Sequence, residues 1–177
     1  MKPFILAALF ALSATPSFAM DLKSSDVTQG ATLAIAQVCA RYDGQAISPA
    51  LSWSGVPANA KSLAVTMFDP DAQAGKGFWH WTVLDIPASA TAIAQGAGSG
   101  KAALPDGSRQ GANGAGDDAY RGACPPAGSG VHHYEITLWA LSEAKPAIAP
   151  NATAVEIGDY LTKNALDKAR ITPVYQK

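Results

Sequence analysis

The chain has 177 residues, 13 Lys and Arg against 14 Asp and Glu, and a formal net charge of -1. That balance leaves no basic stripe for nucleic acid or an anionic membrane surface to neutralise, so neither is expected as a partner. The length suits one domain with one proper core and is short for two.

The N-terminus carries a single cation, Lys2, then an apolar run from Phe4 to Leu12, Pro16, and the small-residue pattern Ser17-Phe18-Ala19. This is the pattern of a secretory signal peptide cleaved after Ala19. The apolar run is roughly half of the ~20 residues a spanning helix needs, so no transmembrane segment is expected; an uncleaved interfacial anchor is the alternative. The expected organisation is a signal peptide over residues 1–19 and a single domain over 20–177, periplasmic or secreted. In an oxidising compartment the pair Cys39 and Cys124 reads as a disulfide, which closes a long loop and contributes about 4 to 5 kcal/mol by chain entropy, less any strain. Without a short spacing between them the two cysteines do not make a zinc pattern.

In chain order, Asp43-Gly44 and Ser48-Pro49 punctuate short extended pieces, and Ser48–Trp53 reads as an edge strand because Pro49 donates no ladder hydrogen bond. Ser62–Phe68 is apolar on both faces and is expected at the centre of a sheet. A second strand runs from His80 to Ile86 and is stopped by Pro87. After a long Gly-, Ala- and Ser-rich connection over 88–131, unusual in a small domain and often functional, a third strand from His133 to Leu141 alternates as a half-buried strand does. Within that connection Gly96–Gly100 is not followed by a helical period and reads as a flexible loop. Thr153 and Glu156 have capping-box spacing, and Ile157, Tyr160, Leu161 and Ala165 share a helical face, so a C-terminal helix should cover one side of the sheet.

Three segments carry candidate chemistry. Asp69-Pro70-Asp71 ends the central strand and fixes two carboxylates around a proline; by spacing alone it is an ordinary β-turn. Trp79-His80-Trp81 sets an imidazole between indoles, more often a core histidine than a ligand-binding one. Tyr120 to Tyr134 contains Cys124-Pro125-Pro126, Gly128 and His132-His133, which by itself describes a stiff loop opening into a strand.

Together with Ser48–Trp53, these segments make the sequence resemble the phosphatidylethanolamine-binding protein family, in its bacterial Raf-kinase-inhibitor-like branch, over roughly residues 25–142. The resemblance implies a mainly β, Greek-key type β-sandwich with peripheral helices, among them the C-terminal one. It also implies one small pocket for phosphate-like or carboxylate groups, a phospholipid headgroup among them, at Asp69, Asp71, His80, Pro125, Pro126, His132 and Tyr134, with Trp79 and Tyr120 on the wall. Gln73 and His133 stand where the family usually has proline and arginine; the first should loosen the turn, and the second removes a fixed cation. An aspartate near an anion needs a physical reason: the expectation is that Asp69 accepts a hydrogen bond from an imidazole and acts as its support, while amides near Gly122 to Cys124 face the ligand.

Asp69, Asp71, His80 and His132 are also acceptable zinc or iron ligands, but they lack paired helical spacing, and no metal or cofactor is expected. No Gly-x-Ser-x-Gly elbow is present, and the thiols are paired, so no enzyme is expected; Asp69 with His80 as an acid-base pair is the hydrolase alternative. The other alternative is an inhibitor or interaction module that recognises a modified side chain or a chain terminus of a protein partner. Self-association is left open, because a β edge can pair without a sequence mark.

Overall fold

The computed structural model describes residues 19–177, so all of the expected signal peptide but Ala19 lies outside the described residues. The apolar segment that the sequence places at the centre becomes β3 (Ser62–Asp69), and it is buried along almost its whole length. It pairs antiparallel with β4 (Phe78–Pro87) and β8 (Glu135–Leu141). With β6 (Arg109–Gln110) and β9 (Ala165–Ile171) at the edges, these strands form a five-stranded sheet in the order β6-β4-β3-β8-β9. A strand with neighbours on both sides and cover on both faces requires apolar residues at every position, which is what Leu63 to Met67 supply apart from Thr66.

One face of this sheet packs against a second, three-stranded sheet of β1 (Asp21–Lys23), β2 (Leu51–Ser54) and β5 (Ala92–Ile93), in the order β1-β2-β5. The core between them includes Leu22, Leu51, Trp53, Val65, Met67, Trp81, Ile93 and Leu138. The other face is covered by helix α2 (Ala154–Asn164), whose Ile157 and Leu161 join Ala64, Leu84, Trp139 and Leu141. The architecture is therefore a mainly β sandwich with a C-terminal helix. The capping box is formed: the Thr153 hydroxyl accepts from the Glu156 amide, and the Glu156 carboxylate accepts from the Thr153 amide at 2.7 Å.

Several sequence expectations are corrected in detail. The Ser48–Trp53 segment is not an edge strand: β2 lies in the middle of its sheet, and Pro49 precedes it, so no ladder bond is lost. The 133–141 strand is two: β7 (His132–His133) pairs with β10 (Val174–Tyr175), Tyr134 donates its amide to the Pro173 carbonyl, and β8 then enters the main sheet. β8 is buried on both faces rather than half-buried, because α2 covers Trp139 and Leu141 from the second side and Arg170 of β9 donates to the Thr137 hydroxyl at 3.0 Å. The helix stops at Asn164, and Ala165, expected on its face, begins β9. Nor is Gly96–Gly100 a loose loop: Gly98 is pressed against the Trp81 indole, leaving no room for a Cβ, and its amide donates to the Ser48 hydroxyl at 2.8 Å.

Thr153→Ala removes the cap from α2 and is expected to lower stability by about 1 kcal/mol, read as a shift of the urea midpoint with unchanged slope.

Candidate functional site

Asp69 ends β3 and Phe78 starts β4 opposite it. Between the pairs Met67 with Trp81 and Phe68 with Trp79, His80 is an extra residue with no partner across the ladder, a β-bulge. In a regular strand His80 and Trp81 would point to opposite faces; the bulge lets the indole enter the core while the imidazole stays on the same side as Asp69. Trp79, expected on the pocket wall, is sent to the helix face, where its ring lies 4.5 Å from that of Phe68 and against Gly158 of α2.

The chain then turns through α1 (Ala72–Gly75), a single turn in which Gln73 and Ala74 have φ of +51° and +57°. Proline, held near φ of about -65°, cannot occupy Gln73 in this conformation, so the departure from the family pattern and the left-handed turn belong together. The turn hangs on Asp69: Oδ1 accepts from the amides of Asp71 at 2.9 Å and Ala72 at 3.1 Å.

The other oxygen, Asp69 Oδ2, lies 2.7 Å from His132 Nδ1, and both side chains are buried. A carboxylate so placed accepts, so Nδ1 carries the hydrogen. On the far side of the ring, Nε2 lies 3.0 Å from the Ser129 hydroxyl, whose single hydrogen is shared between that nitrogen and the Pro126 carbonyl, 2.7 Å away. His80 is oriented by a different group: its Nδ1 donates to the Arg121 carbonyl at 3.0 Å, which turns Nε2 toward Asp69 Oδ2, 4.0 Å away. Burial pushes the His80 imidazole below its usual pKa, against the opposing pull of the Arg121 carbonyl and the Asp69 charge, so the ring is neutral with a bare Nε2.

These groups line a cavity of about 450 Å³. Of the residues expected from sequence, Asp69, His80, Tyr120, Pro125, Pro126 and His132 line it. Tyr134 stands just behind, its ring edge-on to His80 at 5.3 Å, and its buried hydroxyl lacks a partner among the described residues. Burial, followed by the Asp69 charge, pushes that hydroxyl far above the usual tyrosine range. Asp71 lies outside the cavity and is half exposed: its Oδ2 accepts from both the amide and Nδ1 of His133, each at 2.8 Å, and the His133 side chain holds the Asp71 carboxyl below the usual range.

Sequence reasoning missed Phe78, Gln73 and Ser129 as parts of the site, and the disulfide it expected is present. Cys39 and Cys124 are bonded across 85 residues of chain, and both line the cavity, so the bridge fastens its wall. Gly122 approaches the Val38 and Cys39 backbone so closely that any Cβ would collide with it. Of the loop amides expected to face a ligand, that of Ala123 is engaged by the Gln37 carbonyl at 3.1 Å, whereas that of Gly122 donates to no described residue. A wider depression of about 660 Å³, lined by residues such as Ala50, Thr91, Ala92 and Leu104, carries no titratable group and offers no comparable chemistry. Among the described residues, no cluster of three or more His, Cys, Asp or Glu is arranged to hold a metal ion.

The fold and the site together define a mainly β sandwich with a buried carboxylate-imidazole pair at an open cavity. The sequence matches the family model described as Phosphatidylethanolamine-binding protein over residues 23–176, and the chain belongs to that family. It is 39% identical to the UPF0098 protein YbcL of Escherichia coli over 181 residues, covering 99% of both chains. It also superposes on the crystal structure of E. coli YbcL with a TM-score of 0.84 at 40% identity, covering 90% of this chain and 99% of that one. A putative lipoprotein of Mycobacterium tuberculosis, LppC, is 33% identical over 178 residues, 98% of this chain and 82% of its own.

The lowered His80 pKa has a sign. Unfolding lets the imidazole take up a proton at its ordinary pKa of about 6.5, so His80 adds stability that is full above that pH and lost as pH falls toward the lower folded value. Asp71 behaves likewise in a separate and more acidic window, where its contribution is lost as pH falls below about 4 through its lowered folded pKa. The urea midpoint is therefore expected to drop between about pH 7 and 5, and His80→Gln is expected to flatten that limb; an unchanged limb would place the titration elsewhere.

Proposed function

We propose that the protein is exported and that its cavity holds a small oxyanion, phosphate-like or carboxylate, without covalent chemistry. The observation that carries this reading is the Asp69-His132 pair at the edge of an open cavity. Asp69 does not act there as a bare negative charge. Its two oxygens receive three donors, so it orients the imidazole and the turn, and its repulsion of an incoming anion is reduced. The Gly122 amide, which donates to no described residue and belongs to the cavity lining, is available as a donor, and Phe78, Tyr120 and the two prolines give the ligand's organic part an apolar lining. Family membership supports the pocket, and the disulfide and the lipoprotein relative support a site of action outside the cytoplasm.

Ser129, His132 and Asp69 fall in the order of a hydrolase relay, yet the Ser129 hydroxyl is shared with the Pro126 carbonyl, its shorter contact. Binding without turnover is therefore the reading favoured here, and no release of phenol from phenyl phosphate or phenyl acetate is expected. Titration of the protein with phenyl phosphate, followed by backbone amide NMR, should move Gly122, Cys124 and the residues around Asp69. Asp69→Asn and His132→Ala should each weaken binding about tenfold or more, the scale of one charge-assisted hydrogen bond. Equal affinity in all three proteins would remove the pair from the site.

A further inference from the structure

The cavity meets its anion with few fixed positive charges. Arg121, which lines it, has its guanidinium paired with Asp117 at 2.7 Å, and His133 is held by Asp71 outside it. The titratable groups that face His80 are Asp69 from β3, Tyr134 between β7 and β8, and Arg121 and Tyr120 from the 120–126 loop, with His132 behind Asp69. Tyr120 donates its hydroxyl to the Gln37 carbonyl at 3.0 Å and offers the cavity no charge.

His80 itself presents an acceptor. With Nδ1–H fixed on the Arg121 carbonyl, the nitrogen turned toward Asp69 is the lone pair of Nε2, and Asp69 Oδ2 beside it is a second acceptor. A fully deprotonated phosphate ester brings only acceptors and would set lone pair against lone pair. A protonated oxyacid brings the missing donor.

Building on the anion-pocket reading, we infer that the site takes its ligand as the singly protonated oxyacid, a hydrogen phosphate monoester for example, with the remaining O–H donated to His80 Nε2. A phosphate monoester loses its second proton with a pKa of about 6, so above that pH it must regain one from solvent on entering. No bond to phosphorus forms or breaks; one proton is added and is shared between the ester oxygen and His80. The site would thus hold phosphate esters more tightly as pH falls from 8 toward 6, and would discriminate against oxyanions that cannot be protonated.

Isothermal titration of the full chain with phenyl phosphate at about pH 7.5, in buffers of different ionisation enthalpy, counts the protons exchanged. About one proton taken up per ligand is expected at that pH, falling toward zero near pH 5, where the free ester already carries it. Phenyl sulfate, of similar shape but without that proton, should bind at least about tenfold more weakly. In His80→Gln, whose amide donates without titrating, uptake should fall to near zero in the binding that remains. Phenyl phosphate binding with no proton uptake by the wild-type protein would overturn this inference and leave the anion pocket standing. An absence of phenyl phosphate binding at any pH would overturn both.

Discussion

The site depends on one buried carboxylate. Asp69 is 2% exposed, and its oxygens hold the amides of Asp71 and Ala72 on one side and His132 on the other. Hydrogen bonds to a charged acceptor contribute about 1.5 to 3 kcal/mol each, and leaving such a charge unpaired in the interior costs more. A group with that much at stake fixes its neighbours. It sets the direction of the left-handed turn, the tautomer of His132, and through that ring the position of Ser129 and the Pro126 wall.

The strands supply the rest of the geometry by departing from regularity. A regular β4 would have sent either His80 or Trp81 to the wrong face; the bulge keeps the indole in the core and the imidazole at the cavity. The break at Tyr134 does similar work on the other side, letting β7 pair with β10 while β8 joins the main sheet, so that His132 lies at the cavity against Asp69. The disulfide then ties the 120–126 loop to the segment around Cys39, and the close Gly122 contact with the Val38 and Cys39 backbone leaves that loop little room to shift.

How much of this was legible in the sequence differs by level. The central strand, the strand ended by Pro87 and the capped helix were readable because each rests on a local signal: two-sided apolarity, a proline and a capping box. β9 was missed because Ala165–Ile171 alternates between half-buried and exposed residues with only two of its seven side chains, Leu166 and Ile171, large and apolar, so its strand character comes from pairing with β8. The site residues were found through their ordered resemblance to a family, since each segment by itself fitted a turn, a core histidine or a loop. What the resemblance left open was direction. Trp79 faces α2 because of a bulge that no spacing announces, Asp71 is occupied by His133 at the rim, and Ser129 joins the site only once the 126–132 loop folds over His132.

Imidazole nitrogen chemical shifts, read by long-range proton-nitrogen NMR on protein labelled at histidine, test the arrangement most directly. The account requires His80 and His132 to carry a hydrogen on Nδ1 at neutral pH, the less common tautomer of a free neutral imidazole, and requires both rings to shift when phenyl phosphate is added. Nε2–H forms of both rings, unmoved by the ligand, would contradict it.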